Sequence, residues 1–160
     1  MSWQAYVDTQ LLQKGDTNGC VEHGALMSIQ DLGLWASTPN FSLGSYNVDL
    51  PTDDGESTQS VQVNELEILK EALANKGVTT HRAGLRINNE KYFLVNDDED
   101  RHTTYLKKHG GGACLVRTNM AVIFASWNGA LAASDGTPQN PGLCNEQCEK
   151  LADYLRSVGY

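Results

Sequence analysis

The sequence predicts an α+β protein: a central antiparallel β-sheet flanked by helices on both faces, with the N- and C-terminal helices adjacent. Three observations predict it. Helical periodicity opens and closes the chain, over residues 2–13 and about 143–158. A further amphipathic helical run starts at Asn64. After Gly77 the apolar period changes from helical to two, and the apolar runs are separated by short turns. Strands joined that way pair antiparallel, and burying every apolar stripe then calls for helices on the sheet's faces. A length of 160 residues suits a single domain with a core of its own.

The first helix starts at Ser2, a good N-cap, and runs to about Gln13, with Gly15 as its stop. Trp3, Tyr6, Val7 and Leu11 form one broad stripe, with the rings on one edge and the aliphatics on the other. Residues 24–29 and Leu34-Trp35-Ala36 flank a turn at 31–33 and read as a hairpin. Residues 38–60 are rich in Pro, Ser, Asn, Asp and Gly and read as a long, partly mobile surface loop. In the helix after Asn64, Asn64 caps Glu67 and Glu67 reaches back. Its expected buried stripe is Leu66, Leu69 and Leu73, and Lys76-Gly77 ends it.

A meander of four or five strands follows. Residues 85–87 and 91–95 flank Asn88-Asn89, a pair that tolerates the positive φ of a tight turn. An acidic tip at 97–100 precedes a strand near 103–107, and Gly110-Gly111-Gly112 forms the next turn. Residues 113–117 pair with 120–127 through Thr118-Asn119, and 128–142 form a second irregular loop. The last helix starts at Leu143 or Asn145 and buries Cys144, Cys148, Leu151, Ala152, Leu155 and Val158. Tyr154 falls among the polar rows with Gln147, Lys150 and Ser157, so the core does not account for it. Side by side, the terminal helices would present Trp3, Tyr6, Tyr154 and Tyr160 as one aromatic surface. Such a surface binds; it does not catalyse.

Composition excludes several function classes. A net charge of −8 disfavours nucleic acid. Residues 82–117 nevertheless hold seven basic side chains against five acidic ones, which leaves the remainder at −10. That mildly basic strip suits an acidic protein partner, although on charge alone scattered solvated charge is the simpler reading. No run is long and apolar enough to span a bilayer, and the start does not read as a secretion signal. Cys20, Cys114, Cys144 and Cys148 are then expected as free thiols in a reducing compartment. Cys144 and Cys148 share a helix face, but two ligands make no zinc site, and buried small hydrophobes are the expected role. The triple glycine lacks the Lys-Ser or Lys-Thr of a phosphate loop. His23, His81, His102 and His109 fall in no catalytic or metal motif, and the acids at 97–100 lack calcium-loop spacing. No catalytic residue, metal or cofactor is expected.

The residues resemble a known family. Ser2-Trp3-Gln4-Ala5-Tyr6-Val7-Asp8 is similar to the opening of profilins, and Leu34-Trp35-Ala36 falls where the family carries a strand Trp. Gly84-Leu85-Arg86-Ile87-Asn88-Asn89-Glu90-Lys91-Tyr92 resembles the family's Gly-Gly hairpin. Pro141-Gly142-Leu143-Cys144-Asn145 and Leu151-Ala152-Asp153-Tyr154-Leu155 resemble its closing helix, especially in plant and protist members.

The resemblance implies a cytosolic, cytoskeletal, monomeric protein that binds monomeric actin on one face and proline-rich segments, such as those of formins, on another. By position, Trp3, Tyr6, Trp35, Tyr154 and Tyr160 match the proline-binding aromatics, with Leu155 adjacent but on the buried stripe. Physics suits them to the task. A polyproline II helix is stiff before binding and exposes carbonyls but few N–H groups. Flat rings fit between its prolines while indole N–H and phenol groups donate to its carbonyls. The actin face maps to Arg82, Lys91, Phe93, Lys107, Lys108, Arg117, Gly142, Asn145, Glu146 and Glu149, with Lys91 and Asn145 foremost. Much of the basic strip lies there, where it would steer the approach of acidic actin side chains.

Two segments, near 49–60 and 128–140, are longer than the family's compact pattern and are expected as loop insertions in a single domain over 1–160. They border the expected actin face, so the rival function is a proline-motif adaptor with weak or no actin binding. Phosphoinositide binding, which some members show, is expected to be weak at this net charge.

Overall fold

The fold is that of a computed structural model, which describes residues 2–12 and 19–160. These residues fall into two compact units, Met1–Phe41 with Leu94–Tyr160, and Ser42–Phe93.

The first unit opens with a short helix α1 (Trp3–Ala5) that widens into a π-helical segment (Tyr6–Leu11). The Ser2 side chain accepts from the Ala5 N–H at 3.1 Å, satisfying a donor that the first turn leaves orphaned. Gln13 and Gly15, expected as the end and stop of this helix, lie outside the described residues. Strands β1 (His23–Ser28) and β2 (Leu34–Ser37) form the expected hairpin. After β3 to β6, described below, come β7 (Thr103–Lys108), β8 (Gly111–Arg117) and β9 (Ala121–Asn128). The strand order is β2-β1-β9-β8-β7, with β6 following β7.

The core follows from this register. Leu26 faces Ile123, Cys114 faces Ala125 and Val116 faces Ile123, so these side chains share one face of the sheet. Val7 and Leu11 of the first helix cover that face together with Cys144, Cys148, Leu151, Ala152 and Leu155 of the last. The terminal helices thus lie adjacent over one sheet face. The opposite face is also apolar and buried around Phe124, against which Phe41 packs with ring centroids 5.3 Å apart.

The last helix, α3 (Pro141–Ser157), starts earlier than the sequence reading places it. Asn140 accepts from the Leu143 N–H at 3.0 Å, and Pro141 fills the first helical position, where its missing N–H costs nothing. Two side chains depart from the expected stripe: Val158 is exposed and Gln147 is buried. Val158 lies past the last turn, where the chain reverses through Gly159.

The second unit holds β3 (Ser45–Pro51), β4 (Thr58–Asn64), α2 (Glu65–Ala74), β5 (Leu85–Ile87) and the start of β6 (Glu90–Asp98). The long loop expected over 38–60 is instead largely a β3–β4 hairpin. Tyr46, Val48, Leu50, Val61 and Val63 alternate with polar residues and pair in register, a period-2 pattern hidden by the surrounding Pro, Ser and Asp. Residues 49–60 are the distal part of this hairpin, and 128–140 remain irregular apart from an Ala132–Pro138 bridge.

Asn64 caps α2 as expected, but the buried stripe is Glu65, Ile68, Leu69 and Ala72. Leu66 and Leu73 are only half-buried. The stripe rotates because Glu65 is drawn fully inside. Its carboxylate accepts from the Gly44 N–H at 3.0 Å, the Asn89 N–H at 2.8 Å and the Tyr46 hydroxyl. Asn88 and Asn89 take φ of 53° and 62°, the positive values expected at that turn.

Candidate functional site

The candidate site is the outer edge of the two terminal helices. Val7 and Leu11 face the core, which turns Trp3 and Tyr6 of the same stripe to the rim. On α3, Leu151 and Leu155 go inward and leave Tyr154 about half exposed, at 48%. On β2, Ala36 points into the core and Trp35 rests against its margin.

The fifth ring arrives by a chain reversal. The Tyr160 N–H bonds the Leu155 carbonyl at 2.8 Å, and Gly159 makes the turn with φ of 97°, a region that L side chains avoid. The rings then form one continuous set. Trp3 lies 4.6 Å from Trp35, 4.9 Å edge-on from Tyr160 and 5.6 Å from Tyr6, centroid to centroid. Tyr6 lies 5.8 Å from Tyr154. Hydrogen bonding with Tyr154 raises the Tyr6 phenol above its ordinary pKa, so both phenols are neutral donors at physiological pH. All five aromatic residues expected from sequence therefore meet, and Leu155 is buried beneath them.

The residues matched to an actin face are more dispersed. In the first unit, Lys107 and Asn145 line an apolar hollow of about 500 Å³ with Val95, Tyr105, Trp127 and Pro141. Gly142, Asn145, Glu146 and Glu149 line an adjoining polar hollow of about 430 Å³. Glu149 is already engaged: the Tyr105 hydroxyl donates to it at 2.7 Å and Arg101 pairs with it at 3.3 Å. Burial and this bond push the Tyr105 phenol up to about 12. Arg117 is held by Asp97 at 3.4 Å and by the Thr104 hydroxyl at 3.0 Å. Lys108 is buried, whereas Lys107 is exposed. In the second unit, Arg82 bonds the Gln59 side chain at 2.6 Å and the Pro51 carbonyl at 2.7 Å. Lys91 and Phe93 form a pair there, with the ammonium 5.3 Å from the ring centroid.

Sequence reasoning missed Trp127 and Tyr105 as walls of the apolar hollow. The signal for Trp127 was present in the triple glycine. A Cβ on Gly112 would sit 2.8 Å from the Trp127 indole nitrogen and 2.6 Å from the Leu106 carbonyl. Gly111 and Gly112 let this ring lie across the start of β8, and only Gly110, with φ of 71°, is in the turn.

Among the described residues, no group of three or more His, Cys, Asp or Glu is placed to hold a metal ion, and no helix is long and apolar enough to cross a membrane. The four cysteines are buried free thiols. Hydrogen bonding with Cys114 and burial push the Cys144 thiol well up, and burial raises Cys148.

Comparison with known proteins gives this arrangement a family. The profilin family model matches residues 1–160. A profilin from Tetrahymena pyriformis is 35% identical over 161 residues, covering 99% of this chain and 98% of that protein. Acanthamoeba castellanii profilin IA superposes with a TM-score of 0.68 at 24% identity, covering 99% of this chain and all of that one. The same fold occurs in mouse profilin IIa in complex with a double repeat from the FH1 domain of mDia1 (TM-score 0.59, 20% identity, 100% of both chains). It occurs again in a LokiProfilin2 complex with rabbit actin (TM-score 0.59, 16% identity, 99% of both chains). With its family model matched from end to end and its terminal helices and antiparallel sheet in the corresponding order, this chain belongs to the profilin family.

Proposed function

We propose that this protein binds monomeric actin and proline-rich segments and regulates actin filament assembly, acting as a binding protein without catalysis or cofactor. The observation that carries the reading is the unbroken ring set Trp35–Trp3–Tyr6–Tyr154 with Tyr160 against Trp3. Stacked flat surfaces with neutral donors suit a polyproline II ligand, whose prolines offer rigid apolar faces and bare carbonyls. The mouse profilin complex with an FH1 repeat supports the proline-rich half of the reading, and the LokiProfilin2–actin complex supports the actin half. On this reading the ligands come from proteins such as formins, the protein works as a monomer in the cytoplasm and cytoskeleton, and phosphoinositides bind weakly. The two insertions, at 49–60 and 128–140, belong to one profilin domain in this account.

The proposed actin surface comprises Lys91, Phe93 and Arg82 of the second unit, and Lys107, Arg117, Gly142, Asn145, Glu146 and Glu149 of the first. Lys107 carries the charge on β7 in place of the buried Lys108. A second reading, a proline-motif adaptor with little actin binding, draws support from the internal pairing of Arg117 and Glu149, which leaves fewer charges free for a partner.

Titration of the protein with an oligoproline peptide, followed by tryptophan fluorescence, tests the proline-binding half. A saturable change is expected, and its absence would refute that half. Titration against monomeric actin separates the two readings, since no saturation at tens of micromolar favours the adaptor.

A further inference from the structure

The aromatic shelf does not end at Tyr160. Its carbonyl accepts from the Met120 N–H at 3.2 Å, and the Met120 carbonyl accepts from the Ile29 N–H at 3.0 Å. These two bonds set three chain reversals side by side: the end of α3, the β8–β9 turn and the β1–β2 turn. Each contributes an exposed apolar side chain, with Tyr160, Met120 and Ile29 at 38%, 47% and 38%. Val158 is exposed too, and it sits four residues after Tyr154 on the same line of α3. A contiguous aliphatic shoulder therefore extends the ring surface past Tyr160. Exposed apolar patches of this kind mark contact surfaces when they adjoin one.

The shoulder differs in chemistry from the shelf. Rings with phenol and indole donors suit the carbonyl-studded face of a proline helix. Met120, Ile29 and Val158 offer side chains without such donors, and methionine is flexible enough to mould around a branched partner. We propose that the ligand of this site is a proline run bearing a bulky aliphatic residue, such as leucine, at one end, and that this residue seats on Met120 and Ile29. The inference rests on the reading of the ring set as a proline-binding shelf and adds the class of flanking residue that the shelf selects. Continuity of the two surfaces through the Tyr160–Met120 bond is what commits the shoulder to the same ligand.

The test compares three peptides on the full protein by calorimetric titration: an oligoproline flanked by serine, the same peptide with leucine at its N-terminal end, and one with leucine at its C-terminal end. One leucine peptide is expected to bind about fivefold more tightly than the serine peptide, as partial burial of a leucine implies. Met120→Ser is expected to remove that preference while leaving affinity for the serine peptide unchanged. Ile29→Ser, on a separate turn, is expected to do the same. Equal affinity for all three peptides, or a leucine preference that survives both substitutions, overturns the proposal while the shelf reading stands. Failure of the serine peptide to bind at all overturns both. Light scattering at tens of micromolar gives the remaining outcome: a dimer abolished by Met120→Ser would mean that a second copy covers the shoulder, and the proposal would fall.

Discussion

Trp3 and Tyr160, 157 positions apart in sequence, meet edge to face with ring centroids 4.9 Å apart. The contact depends on backbone geometry more than on the rings. Gly159 at φ 97° turns the chain back, and the Tyr160 N–H closes the reversal on the Leu155 carbonyl. A surface assembled this way is sensitive to changes that never touch a ligand.

Gly159→Ala is expected to lower stability by about 1 kcal/mol, the order of cost for an L side chain in the left-handed region. It is also expected to weaken oligoproline binding by loosening Tyr160. Thermal unfolding and peptide titration of the same variant check the two effects. A variant with unchanged affinity would show that Tyr160 is dispensable.

Trp3→Ala removes the ring that touches three others. Loss of about 1–3 kcal/mol in oligoproline affinity is expected, as for an aromatic hot spot at the centre of an interface. Actin affinity measured in parallel is expected to stay within experimental error.

Glu65→Gln keeps the shape of a fully buried side chain but removes its charge and part of its acceptor capacity for Gly44, Asn89 and Tyr46. A loss of about 2–3 kcal/mol is expected, because buried donors lose their partner. Urea unfolding measures it. A loss under 0.5 kcal/mol, on the scale of ordinary surface substitutions, would mean that this network does not hold the second unit together.

Tyr105 gives an alkaline signature. Its phenol is pushed from 10.0 up to about 12 by burial and by Glu149. Between those values the folded protein keeps a proton that the unfolded chain has released. The stabilisation is therefore complete below pH 10 and is lost as pH rises towards 12. Tyr105→Phe is expected to flatten that part of the stability–pH curve, read from urea midpoints at stepped alkaline pH.

The buried thiols supply a fourth kind of readout. Cys20, Cys114, Cys144 and Cys148 are each fully shielded, and buried thiols with raised pKa react slowly. A thiol-reactive disulfide reagent is expected to modify the native protein hardly at all and all four positions in denaturant. Rapid native labelling would show that α3 lifts from the sheet.

Much of the fold was legible because local signals agreed with the global pattern. Ser2 and Asn64 cap their helices, Asn88-Asn89 turns its hairpin, and the stripe on α3 left Tyr154 without a core role. The ring cluster was legible for the same reason, since a stripe wider than the core needs must show one edge outside. Other features depend on long-range partners. Glu65 reads as an ordinary first-turn acid until Gly44, Tyr46 and Asn89 surround it. Gln147 shares a polar row with Tyr154, yet it is buried while Tyr154 is not. Lys107 and Lys108 look equivalent until strand alternation sends one inward. The β3–β4 hairpin was masked by composition, although its period of two was present in Tyr46, Val48 and Leu50.

The nearness of Trp3 to Trp35 also equips the protein with an optical probe of its own. Two indoles at 4.6 Å share their electronic excitation, and the resulting pair of oppositely signed circular dichroism bands depends on the angle between them. Any guest that wedges against either indole would shift that couplet, so occupancy of the surface can be followed without attaching a dye.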